Sequence, residues 1–135
     1  MKIGLVINPQ SGVGGSVALK GSDGAELQEL AKLRDGEPRG VERAHAFLER
    51  LMLIIDDLTK ELTWKTWGDE MGETVLQSNQ VDFEVLGHPE SPTVGADTSE
   101  ACSVISGAGV DILIFVGGDG TARNVLEGIS PGTLV

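Results

Sequence analysis

The sequence is poor in cysteine, in basic residues and in long hydrophobic runs. Its single cysteine, Cys102, excludes an intramolecular disulfide and any zinc site built on paired thiolates, and it fits a reducing, cytoplasmic setting. Ten Lys and Arg stand against twenty-one Asp and Glu, a formal net charge of −11. That balance argues against nucleic acid or an anionic membrane as a general partner, because both demand clustered cations. No apolar run approaches the length needed to cross a bilayer. The opening "MKIGLVINPQ" carries too short an apolar stretch for a signal peptide and continues into a first core strand. Internal repeats and low-complexity tracts are also missing.

What is present fits one soluble globular domain. The chain has 135 residues, 40% hydrophobic and 23% charged, and a chain of this length buries roughly two-thirds of its unfolded surface in one core. Lys2 to Asn8 is an apolar run rich in Ile and Val that ends on "NPQSG", the pattern of a buried strand and a turn. Glycine at 12, 14, 15, 21 and 24 predicts a long loop, and residues 25–33 a short helix. Val41, Ala44, Phe47, Leu48, Leu51, Ile54, Ile55 and Leu58 recur at spacings of three and four, the pattern of an amphipathic helix. "LTWKTW" reads as a second strand, "GDEMGETVLQSN" as a turn and short helix, and "VDFEVLG" as a third strand. Asp97, three residues before Glu100, predicts a capped helix start. Residues 112–116 read as a fourth strand, 122–129 as the helix after it, and 133–135 as the beginning of a fifth strand.

Strand and helix alternate, and the strands at 3–7 and 112–116 are apolar throughout. The expected fold is therefore α/β, a three-layer αβα Rossmann-like domain with a mainly parallel sheet of four to five strands. Ligands in such sheets sit beyond the C-terminal strand ends, which directs attention to the loops at 8–16, 67–72, 87–90 and 117–121.

The most informative of these is "GGDGT", residues 117–121. Gly117 and Gly118 allow a ligand to reach the main chain, and the helix that follows aims free N–H groups and a positive dipole end at the same place, which suits phosphate. Thr121 is a cap or a hydroxyl donor to a phosphoryl oxygen. A carboxylate at Asp119 suits a group that contacts Mg²⁺ or takes a proton from an attacking hydroxyl. The loop "NPQSGVGG" has neither a P-loop pattern nor a complete dinucleotide fingerprint. It is a phosphate-contacting loop or a mobile one, and Asn8 orients a ligand or ties the turn. Trp64 packs in the sheet, and Trp67 packs or stacks on a base. His45 is a boundary residue, His88 a turn residue within sight of ligand, Cys102 a small core residue, and Asp56 and Asp57 part of a solvated face.

"GGDGT" after an apolar strand resembles the superfamily that joins NAD kinases with diacylglycerol and sphingoid lipid kinases and, more distantly, phosphofructokinases. The longer stretches "VINPQSGVGGSVALKGSDG", "MGE" at 71–73, "ADTSEA" at 96–101 and "GVDILIFVGGDGTARNV" resemble the ATP-NAD kinase-like proteins of the acetoin-catabolism X subgroup. The resemblance implies phosphoryl transfer from ATP, or polyphosphate, to the 2′-hydroxyl of NAD, giving NADP. It implies Asp119 as the residue that contacts and deprotonates that hydroxyl, with Mg²⁺ nearby. It also implies Gly117, Gly118, Gly120 and Thr121 as one wall of the nucleotide pocket, and Asn8, Gly12, Gly14 and Gly15 as the other. Lipid kinases of the superfamily tend to carry Asn-Glu soon after the motif threonine. Here Ala122, Arg123, Asn124 and Val125 follow, which counts against a lipid acceptor. Family members continue into a β-rich domain that completes the NAD site. Residues 1–135 are accordingly expected to be the N-terminal nucleotide-binding domain, inactive alone, and an open sheet edge favours a homo-oligomer. A kinase for another small hydroxyl and a non-catalytic NAD- or ATP-sensing module stay open as alternatives.

Overall fold

A computed structural model of the chain describes residues 1–12, 38–55 and 61–135. The described elements, numbered in chain order, are β1 (Lys2–Ile7), α1 (Gly40–Ile55), β2 (Thr63–Thr66), a 3₁₀ turn (Asp69–Met71), α2 (Glu73–Ser78), β3 (Phe83–Val85), α3 (Gly95–Gly107), β4 (Ile112–Val116) and α4 (Asp119–Gly128). The expected helix at 25–33, Gly14, Gly15, Asp56, Asp57 and Leu58 lie outside the described residues.

The four strands form one sheet in the order β3-β2-β1-β4, and every pairing is parallel. Leu134 extends the sheet beyond β4: it bridges Ile112 in parallel, and Leu113 N–H donates to Leu134 O at 2.8 Å. The expected fifth strand thus begins where the sequence places it.

Strand side chains alternate between faces, and here both faces are covered. Ile3, Leu5, Ile7 and Trp64 pack with Ala44 and Leu48 of α1 and with Val75 and Leu76 of α2. Val6 and Leu113, on the opposite face, pack with Ala101, Cys102 and Ile105 of α3 and Val125 of α4. This two-sided burial explains why β1 and β4 are continuously apolar. Burying a side chain such as Leu5 or Leu48 contributes about 1.5–3 kcal/mol. Gly4 is required where α3 crosses β1, since a Cβ there would lie 2.6 Å from Ile105 Cγ2.

Three details differ from the sequence reading. Asp97 does not start α3: the helix begins at Gly95, and Asp97 in its first turn accepts Val94 N–H at 2.7 Å and Glu90 N–H at 3.0 Å. α4 begins at Asp119 rather than 122, so three of the five residues of "GGDGT" are helical. Phe47 and Ile54 of α1 are exposed, because the stripe against the sheet is carried by Ala44 and Leu48. Of the two readings of Trp67 the packed one holds: it is buried in the α3 layer with Met71 and Val6. Trp64 and Cys102 are core residues as expected, and burial pushes the Cys102 thiol up to about 12, which keeps it protonated and unreactive at neutral pH.

Candidate functional site

The strand order dictates where a ligand site falls. From β1 the chain builds outward through β2 and β3, then returns to place β4 on the other side of β1. The order therefore reverses between β1 and β4, and the C-terminal ends of those two strands are the expected ligand position in an open α/β sheet. Asn8 follows β1 and Gly117 follows β4, so the two loops singled out from sequence meet at this switch point.

They are joined by buried polar contacts. Asn8 N–H continues the β1–β4 ladder by donating to Val116 O at 2.9 Å. The Asn8 amide Nδ2 donates to Thr121 Oγ1 at 2.9 Å, and its Oδ1 accepts Gln10 N–H at 3.0 Å. The bond from Gln10 ties the turn, one of the two roles expected of Asn8, and the bond to Thr121 adds a tie to the second loop. Thr121 is buried in the first turn of α4 and is not the cap, which is Gly118. Gly117 is explained by the same contact, since a Cβ there would overlap the Thr121 side chain. Thr121→Val would strip Asn8 Nδ2 of its buried acceptor at nearly constant volume. The expected loss is about 1–3 kcal/mol of unfolding free energy, read as a lower urea midpoint.

Gly118 differs from its neighbour. Its φ of −101° is open to any residue, and a Cβ there would meet no atom of the described residues within 4 Å. Neither backbone nor packing demands glycine at this position. A small residue here leaves clear the space in front of α4. The first helical bond, Ala122 N–H to Gly118 O at 3.0 Å, leaves the N–H groups of Asp119, Gly120 and Thr121 without intrahelical partners, the arrangement that receives an anion at a helix start.

Asp119 is exposed at the first position of α4, and its carboxylate takes part in no hydrogen bond or ion pair among the described residues. It is free to meet a ligand. One carboxylate beside a phosphate cradle fits Mg²⁺, which takes one or two protein carboxylates and completes its shell from phosphate and water.

In the loop after β1, Gly12 has a φ of +91°, which favours glycine, and lies against Arg39. Arg39 N–H donates to Ser11 O at 2.9 Å, which sets the start of α1 beside this loop. Gly40 is needed for that approach: a Cβ would lie 2.6 Å from Ser11 Oγ and overlap Asn8 O. Ser11 lies in the loop 8–16 expected at the strand ends but is not itself among the candidate residues named from sequence. It is buried, and its Oγ has no hydrogen-bond partner among the described residues. The small hydroxyl inside "NPQSG" was the available signal. Arg39 brings one basic residue beside the loop after β1. No described helix is long and apolar enough to cross a membrane.

Comparison with known proteins gives one family: the ATP-NAD kinase N-terminal domain matches residues 3–133. No curated protein and no solved structure matches the chain.

Proposed function

The chain belongs to the ATP-NAD kinase N-terminal domain family, and from that membership and the β1–β4 strand ends we propose that it is the nucleotide-binding part of a kinase that phosphorylates the 2′-hydroxyl of NAD. ATP, or polyphosphate, is the donor. The observation that carries the proposal is Gly118, a glycine that the fold does not need, at the open start of a helix whose first N–H groups lack intrahelical partners.

In this reading the N–H groups of Asp119, Gly120 and Thr121 receive phosphate oxygens, and the α4 dipole favours their charge. Thr121, fixed by Asn8, holds that first turn against β1. The Asp119 carboxylate takes the proton from the ribose 2′-oxygen as this oxygen forms its bond to the transferred phosphorus and the bond to the leaving ADP breaks. Mg²⁺, when bound with the nucleotide at Asp119, neutralises phosphate charge. The work of the protein is positioning and charge placement, as phosphoryl transfer requires.

The motifs "MGE" and "ADTSEA" support placement in the acetoin-catabolism X subgroup. The acceptor side of the site belongs, in this proposal, to a β-rich domain downstream in the full-length protein. Against a lipid acceptor stands the sequence after the motif, where Ala122, Arg123, Asn124 and Val125 replace the Asn-Glu that lipid kinases of the superfamily tend to carry. The test is a product assay on the full-length protein with Mg²⁺-ATP and NAD. NADP formation is expected. Phosphorylation of a different hydroxyl would replace NAD as acceptor, and saturable nucleotide binding with no product would reduce the protein to a sensing module.

A further inference from the structure

We propose that Asp69, Glu73 and His88 form a binding site for one first-row transition dication of the Zn²⁺ class. Its ligands follow the second and third strands, whereas Asp119 follows the fourth. The three side chains each offer one ligand atom, and these atoms all lie within 4.8 Å of one another. A tetrahedral Zn²⁺ with bonds of about 2.0–2.2 Å spaces its ligands about 3.3–3.6 Å apart. Closing the cluster therefore takes small side-chain rotations, and Asp69 and His88, being exposed, are free to make them.

The backbone brings the ligands together from two strand ends. Asp69 and Glu73 flank the turn after β2, and His88 follows β3. Gly68 N–H donates to Gly87 O at 2.8 Å, which clamps the two loops. Gly68 then leaves room for the imidazole, since a Cβ there would overlap His88 Nδ1. Glu73 is oriented from the other side: its Oε2 accepts Asp69 N–H at 2.9 Å, while no described residue bonds its second oxygen.

The segment Met71-Gly72-Glu73 sharpens the case. Met71 is fully buried, and Gly72 is fixed by its closeness to Thr66. Packing accounts for both, and Glu73 is left with a carboxylate pointing toward another carboxylate and an imidazole. Among the described residues the one ion pair is Lys65 with Glu84, so no described cation neutralises Asp69 and Glu73. Imidazole with two carboxylates suits Zn²⁺, Mn²⁺ or Co²⁺, whereas Mg²⁺ prefers oxygen alone. Three protein ligands leave a position for water.

The experiment is a Zn²⁺ titration of the full chain by calorimetry, with ring-nitrogen NMR of the histidines. Saturation at one Zn²⁺ per chain is expected, unaffected by excess Mg²⁺, with the His88 ring nitrogens shifting and those of His45 unmoved. His88→Gln and Glu73→Gln should each weaken binding by about tenfold or more, with circular dichroism unchanged. His45→Gln should bind as the parent does. Absence of saturable binding, a shift at His45 instead of His88, or undiminished affinity in both ligand variants would overturn the proposal.

Discussion

Asp119→Asn in the full-length protein is expected to lower NADP formation by about 10²–10⁴-fold while leaving nucleotide affinity and folding stability nearly unchanged. Asn keeps the size and the helix position but cannot accept a proton. No described residue bonds this carboxylate, which is exposed at the start of α4. The loss should therefore appear in kcat rather than in KM for ATP, the pattern of an interaction made only as the hydroxyl attacks. A residual dependence on Mg²⁺ would separate the proton-accepting role from metal contact, since the amide oxygen of Asn remains a weak ligand. Turnover within a few-fold of the parent would remove Asp119 from the reaction.

Gly72→Val is expected to cost about 2–5 kcal/mol of unfolding free energy, combining overpacking and backbone strain. Gly72 has φ +151°, a conformation side chains rarely adopt, and a Cβ there would overlap Thr66 Oγ1. That hydroxyl is buried and donates to Leu5 O at 2.9 Å, so it cannot swing aside without leaving a buried carbonyl unpaired. Gly72 also bridges Trp67 and accepts Leu76 N–H at 3.0 Å, so the damage spreads to the β2 end and to α2. Domains of this size have about 5–15 kcal/mol in total, and the variant should melt far below the parent or fail to accumulate. A urea midpoint close to the parent's would show that the β2–α2 turn can relax at little cost.

The sheet was legible because its central strands have no solvent face. β4 matches the expected 112–116, and the single bridge at Leu134 matches the expected fifth strand. Two misplaced helix starts have one cause, that cap chemistry is ambiguous from sequence. Asp97 binds the residue before the helix from inside its first turn, which resembles a cap but lies three residues later. "GGDGT" reads as a loop through its glycines, although Gly118 as cap with Asp119 and Thr121 in the first turn is an equally good helix start. Trp64 and Trp67 stand an odd number of residues apart, so they point to opposite faces, and both faces are covered. Strand period alone could have removed Trp67 from the candidate stacking residues. Contacts between distant segments were beyond sequence reading: the Asn8–Thr121 bond spans 113 residues, and the Asp69, Glu73 and His88 group joins two loops that local pattern does not link.

The central claim is that a nucleotide's phosphates occupy the space in front of α4 at Gly118. Calorimetric titration of the full-length protein and its Gly118→Val variant with Mg²⁺-ATP tests it most directly. A Val at this position meets a permitted φ and empty space, so thermal stability should stay with the parent. The account predicts that saturable binding in the parent is lost in the variant. Equal affinity in two equally stable proteins would contradict it.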